Sequence, residues 1–464
     1  MIALLDQSSK EVSSVIKFAS DPVGIDDLSV YVPKLFLPTT GEFAASRSID
    51  PAKLTKGIGI ESMSIPDAHE DAATMGAMSM LDLMKRNDLL PDQIGKVYVG
   101  TESGVDEAKA IGTYIIGMLE KIYGAGSFED CSTVELKSAC IGATYALENL
   151  CNWAALNDED QAGVVIASDI ARYSLNSPGE YTQGAGSVSL LVRKNPRFMA
   201  IDGFKGSFTK DEDDFFRPIG ASTAVVHGKK SNDCYLFAVE RAFASYKKKA
   251  LRSGIIKLNE GECLTDQLAH LLFHIPYPRM AEYASAYIFR AEWRDLSRWK
   301  GIESKIGEEP LSGAFSDINE YLAIDAAFGK KFSKTEKFLD AYDSKVKDST
   351  TISRQVGNIY TGSLYLGLAS LAELHKLVPG ERVCFCSYGS GCSAMVFSGI
   401  VQPDVELLSP RNILERLNGR TEINMKDYEM LHEKRRTESI FDPTNEFAFT
   451  SIDEYGYRNY DFLN

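Results

Sequence analysis

Cys140 stands in "VELKSACIGATYALENLCNWAALN" (134–157), a stretch that reads as a strand, a sharp turn and then a helix. A thiol at a helix start meets the positive end of the helix dipole, which favours thiolate. Backbone N–H groups there also face whatever the sulfur carries, so they can form an oxyanion hole. The flanks Ala139, Gly142 and Ala143 are small and leave room for a ligand. The chemistry would be nucleophilic catalysis, with the sulfur forming a covalent intermediate. Free cysteines are more often buried and inert, and the sequence alone leaves that reading open.

Other residue types suited to such chemistry lie at the ends of apolar runs. Glu102 follows the strand "GKVYVG" (95–100), and strand ends are where sites gather in α/β sheets. A partly desolvated carboxylate there could serve as a general base; a solvated loop acid is the plainer reading. Asp106, Asp169 and Asp214 carry the same ambiguity. His274 in "LLFHIPYPRM" closes an apolar strand before a proline, which also suits a hydrogen-bonded core histidine. His270 lies four residues earlier, but no third ligand has convincing spacing, so a metal is not expected. Asn358 in "VGNIYTGS" precedes a helix and could be only its N-cap. The turn "SYGSG" (387–391) is either an ordinary hairpin or a place where N–H groups face a carbonyl. Cys384 and Cys386 share one strand face and read as core. No P-loop and no dinucleotide-binding glycine pattern is found.

The elements that must position these residues alternate between strand and helix. Strands are expected at 23–33, 95–100, 162–169, 184–194 and 269–277, and a strand, Gly-rich turn and strand over 382–401. Helices are expected at 70–87, 234–254 and within 356–374. Such alternation indicates an α/β fold with a largely buried sheet. Each half offers a strand–turn–helix and then a strand with a Gly-rich turn, so the chain reads as an internal duplication. Residues 1–23 read as an extension, 24–195 as the first half and 196–402 as the second, with an excursion of charged helices around 281–350. The tail, 403–464, is aromatic enough to pack back on the body.

The bulk numbers fit this. The 464 residues are 44% hydrophobic and 25% charged, as in a globular protein with a sizeable core. A net charge of −15 argues against nucleic acid or an anionic membrane as the main partner. Eight scattered cysteines without a CxxC pair fit a reducing cytosol. No signal peptide or membrane-spanning run is read, so a cytoplasmic protein is expected.

Eight stretches in order resemble the 3-hydroxy-3-methylglutaryl-CoA (HMG-CoA) synthase family of the thiolase-like superfamily: "KLTKGIGIESMSIPDAHED", "GTESGVDEAKA", "SACIGATYAL", "SDIARYSLNSPGEYTQGAGSV", "DDFFRP", "FHIPYPRM", "VGNIYTGSLYL" and "SYGSG". The resemblance implies a thiolase fold, two βαβαβαββ halves in a five-layer αβαβα arrangement. It implies that Cys140 accepts the acetyl group, Glu102 is the general acid/base, His274 positions acetoacetyl-CoA and Asn358 completes the set. It makes Ser390, beside Gly389, the partner of Cys140 in the oxyanion hole. Asp106, Asp169 and Asp214 would support the site, and Tyr173 and Thr182 would line it. The substrates would be acetyl-CoA and acetoacetyl-CoA, with no metal or redox cofactor, in a homodimer working beside other mevalonate-pathway enzymes. Arg279 stands where the family often has lysine, beside the CoA phosphates. Val226-His227-Gly228 replaces the frequent V-D-G, and 281–350 aligns poorly. A carrier-protein-dependent synthase of polyketide β-branching would use the same residues. A ketoacyl-carrier-protein synthase III-type enzyme is argued against by Glu102, and an idle scaffold by the complete residue set.

Overall fold

The computed structural model describes residues 21–157, 159–314 and 317–464. Of the expected N-terminal extension, residues 1–20 lie outside the described residues. Ten strands form one mixed sheet: β1 (Val23–Tyr31), β2 (Ile94–Gly100), β3 (Ser132–Leu136), β4 (Ala162–Ile170), β5 (Ala185–Lys194), β6 (Met199–Ile201), β7 (Gly206–Thr209), β8 (His270–Phe273), β9 (Arg382–Gly389) and β10 (Ser393–Val401). Their order is β8-β9-β10-β6-β1-β5-β4-β2-β3, with β7 also paired to β10. The runs β3-β2-β4 and β8-β9 are parallel, and the remaining pairs are antiparallel.

Six helices cover this sheet: α1 (Ala72–Arg86), α2 (Ile111–Tyr123), α3 (Gly142–Leu156), α4 (Gly228–Ser253), α5 (Pro278–Trp293) and α6 (Ser363–Glu373). The first half therefore runs β1-α1-β2-α2-β3-α3-β4-β5. The second half repeats it with two changes. Its first strand is broken into β6 and β7, and among the described residues no strand stands where β3 does. Helices Ser297–Ile306, Ile318–Phe332 and Glu336–Lys345 occupy that part of the chain.

Three of the apolar clusters pack these helices against the sheet. One lies between α1/α2 and the first half's strands, with Met80, Ile115, Val97 and Ile166. The middle core holds Leu147 and Leu150 of α3 and Leu364 and Leu368 of α6 against Val188, Phe385 and Phe397. The third packs Ala242 of α4 and Phe289 of α5 against Phe273 and Val396. Strand β9 shows why its sequence is apolar throughout. Val383 and Phe385 face the middle core, while Cys384 and Cys386 face the outer one. The core reading of those two cysteines holds.

Local signals fix the ends of α1. Asp71 caps it by accepting the N–H groups of Ala73 and Thr74, each at 2.9 Å, and Lys85 and Arg86 close its last turn. The tail forms a hairpin, Glu446–Ile452 with Arg458–Leu463, whose Phe447 and Tyr460 are buried in the α1/α2 core. No helix among the described residues is long and apolar enough to cross a membrane.

Candidate active site

Cys140 lies two residues before α3, behind Ala139, whose φ of 46° is in the left-handed region. A residue with a Cβ is strained there, so the turn that delivers the sulfur is held by its surroundings. One holder is β2. A methyl group on Gly100 would sit 2.3 Å from the Ala143 nitrogen, so the strand end touches the backbone of α3 directly. That approach brings Glu102, two residues on, to Cys140: the thiol donates to its Oε1 at 3.0 Å. The second holder is the Gly-rich turn. A methyl on Gly389 would meet the Ser138 carbonyl oxygen at 2.8 Å and the Ile141 nitrogen at 2.9 Å, which sets Gly389 against the cysteine turn.

The electrostatics differ from the expectation of a dipole-stabilised thiolate. Burial, and then the Glu102 carboxylate, push the Cys140 thiol well above its ordinary range. Glu102 is itself buried and its carboxyl is pushed up to about 8, first by burial and second by Asp169. The resting pair thus holds its proton; the helix dipole is outweighed by loss of water and by a neighbouring negative charge.

Asp169 organises this corner from β4. Fully buried, it accepts the Glu102 N–H at 2.7 Å, the Ser103 hydroxyl at 2.9 Å, the Thr101 hydroxyl at 3.0 Å and the Thr361 hydroxyl at 2.6 Å. It ties the loop after β2 to the loop before α6. Burial nevertheless raises its carboxyl to about 6. Asp214 does the same for the Gly-rich turn, accepting the Tyr388 hydroxyl at 3.0 Å and the Gly391 N–H at 2.8 Å.

Aromatic rings wall the sulfur. Cys140 packs in a small cluster with Tyr173, Tyr360 and Phe215, whose ring centroids are 6.0–6.4 Å apart. Asn358 caps the turn into α6: its Oδ1 accepts the Tyr360 N–H at 2.8 Å and the Ser363 hydroxyl at 2.9 Å. Its own N–H donates to the Thr182 carbonyl at 2.9 Å, while the Thr182 hydroxyl donates to Gly179 at 2.8 Å.

His274 follows β8 and is buried. Among the described residues its Nδ1 has no hydrogen-bond partner, and burial drives its pKa down to about 3, so the ring is neutral. Tyr235 donates to its carbonyl at 2.8 Å, and the Tyr235 ring lies 6.2 Å from the imidazole and 4.8 Å from Tyr388 of the Gly-rich strand. His270 contacts the Lys376 carbonyl at 3.0 Å instead.

Two expected residues stand apart. Asp106 is exposed and accepts the N–H groups of Ala108 and Lys109. Arg279 opens α5, pairing with Glu282 at 2.6 Å. Sequence reasoning passed over Arg217, whose guanidinium donates to the Glu102 carbonyl, and over Tyr360 and Phe215. The arginine lies in "DDFFRP", one of the stretches that carry the resemblance, but neither its type nor its spacing pointed to Glu102.

Comparison with known proteins agrees with this geometry. The family model described as hydroxymethylglutaryl-coenzyme A synthase N terminal matches residues 19–196, and the corresponding C-terminal model matches 199–454. The hydroxymethylglutaryl-CoA synthase of Haloferax volcanii is 33% identical over 453 residues, covering 95% of this chain and 99% of that one. That of Enterococcus faecalis is also 33% identical, over 88% and 91%. The solved structure of MvaS in complex with 3-hydroxy-3-methylglutaryl coenzyme A superposes with a TM-score of 0.81 at 31% identity, over 96% of this chain and all of that one. With both family models matched end to end over a thiolase-like sheet, the chain belongs to the hydroxymethylglutaryl-CoA synthase family.

Proposed function

We infer that the protein condenses acetyl-CoA with acetoacetyl-CoA and water to give HMG-CoA and CoA, through an acetyl group carried on Cys140. The observation that carries the reading is the thiol of Cys140 at 3.0 Å from a buried carboxyl group. The ionised form of Glu102 takes the thiol proton as the sulfur attacks the acetyl carbonyl, and passes it to the CoA thiolate as that group leaves. Glu102 then removes a proton from the acetyl methyl group. The N–H groups of Cys140 and Ser390 stabilise the enolate oxygen. The carbanion attacks C3 of acetoacetyl-CoA, whose carbonyl oxygen is held by neutral His274, and Glu102 returns a proton to the new alkoxide. Water cleaves the remaining thioester. Asp169 acts by fixing the backbone of Glu102, and Asp214 by fixing the turn that carries Ser390.

A homodimer in the cytosol belongs to the same reading. Strand β3 ends the sheet, and its Val134 is 43% exposed, which offers an unpaired edge to a second copy.

The test is acetyl transfer followed by condensation on purified protein. Wild type becomes acetylated by acetyl-CoA and then consumes acetoacetyl-CoA. Cys140→Ala takes up no acetyl group. Glu102→Ala is still acetylated, but slowly, and does not condense; condensation by that variant at the normal rate overturns the assignment. Acetylation by an acetylated carrier protein but not by acetyl-CoA would move the protein to the carrier-dependent reaction.

A further inference from the structure

Arg217 follows the first strand of a short hairpin, Phe215–Phe216 with Val225–Val226, that packs in the same cluster as Cys140. The hairpin is rooted at Asp214. That side chain holds the Gly-rich turn through the Tyr388 hydroxyl and the Gly391 N–H, and its carbonyl accepts the His227 N–H at 2.9 Å. Side chains then alternate along the strand. Phe215 turns in to the rings of Tyr173 and Tyr360, and Phe216 turns out, 41% exposed. Arg217 falls on the inward side again. The residue as a whole stays exposed, yet one end of its guanidinium, Nη2, donates to the backbone carbonyl of Glu102.

That hydrogen bond completes the hold on the Glu102 backbone. Its N–H is already tied to Asp169 at 2.7 Å. Both polar groups of the peptide unit are thus fixed by side chains, one from each half of the chain. The same contact brings in charge. The groups that bear on the Glu102 carboxyl are the Cys140 thiol before α3, Asp169 of β4, the phenols of Tyr173 and Tyr360, and Arg217. Among these described residues Arg217 is the one cation. Burial and then Asp169 disfavour the ionised carboxyl; the thiol and then Arg217 favour it. A carboxyl group that must ionise beside a second carboxylate gains from a positive neighbour.

Taking Glu102 as the acid/base, as the proposed function does, we propose that Arg217 is a positioning residue for the reaction: it pins the Glu102 peptide from the outer hairpin and sets a positive charge beside the pocket, so that the carboxyl group can give up its proton while Asp169 stays charged.

The test is the pH dependence of kcat/KM for acetyl transfer from acetyl-CoA in wild type, Arg217→Gln and Arg217→Lys. Arg217→Gln keeps a donor for the carbonyl and loses the charge. Its midpoint moves up by about 0.5–1 pH unit, a small neighbouring-charge effect because water screens an exposed guanidinium. With a wild-type midpoint near 8, the rate at pH 7 falls by about 3- to 10-fold, and the alkaline plateau is kept. Arg217→Lys returns the midpoint to the wild-type value. A residue that only shapes the loop lowers the plateau and leaves the midpoint in place, and that result, or equal midpoints in wild type and Arg217→Gln, overturns the proposal. Where Arg217→Gln does not fold, Arg217→Met, which keeps the apolar stem, is read by the same criterion. Failure of the parent reading looks different: wild type takes up no acetyl group, or Glu102→Gln keeps the wild-type limb, and either result removes this inference with its premise.

Discussion

At the scale of single residues, the site is a contest between burial and charge. Cys140 has the helix terminus that the sequence promised, yet desolvation and Glu102 push its thiol up. Glu102 titrates near 8 rather than in the usual carboxylate range. Only its ionised form accepts the thiol proton, so kcat/KM for acetyl-CoA should rise with pH and level off above about 8. A pH–rate profile checks this, and Glu102→Gln should lack that limb. The same shift bears on stability. A carboxyl group whose folded pKa lies above its unfolded value of 4.5 contributes fully below about 4.5 and loses that contribution as pH rises through about 8. Melting curves should show Glu102→Gln gaining on wild type across that window. Cys140 was legible as a candidate because it stands at a helix start, and Glu102 and His274 because each follows an apolar run. Arg217 and Phe215 were not, since the strand Phe215–Phe216 that places them is too short to show a period. The exposure of Asp106 was equally hidden, because a carboxylate after a strand looks the same whether it turns toward the site or toward its own loop.

Among the elements, the two halves deliver matching parts. Glu102 follows β2 and His274 follows β8; Cys140 precedes α3 and Asn358 precedes α6. Both helix approaches contain a left-handed non-glycine residue, Ala139 and Tyr360. The strand and helix bounds were readable from apolar periodicity to within a few residues, α4 excepted. That helix begins at Gly228, six residues before the apolar pattern at 234, because its first turns are polar and half exposed. The split of the second half's first strand was not readable, since β6 and β7 are too short to show a period. What holds β2 to α3 is a backbone-to-backbone approach at Gly100. Gly100→Ala should therefore cost about 1–3 kcal/mol and move Glu102 off the sulfur. Chemical denaturation would register the first effect and a loss of acetyl uptake the second.

Over the whole molecule, the tail is part of the body. Phe447 and Tyr460 complete the core beneath α1 and α2, and Arg458 and Tyr460 both reach Asp71, each at 2.7 Å, the residue that caps α1. The aromatic content of the last sixty residues announced this docking, though not its partner helices. Phe447→Ala should lower stability by about 3–5 kcal/mol, measurable as an earlier unfolding midpoint, with the chemistry at Cys140 unchanged in the protein that remains folded. A different consequence follows from β1. It bonds to β5 on one side and to β6 on the other, and β6 continues into β10, so a single hydrogen-bond ladder runs from one half into the other. Two lobes sewn together along such a seam cannot gape like a clamshell.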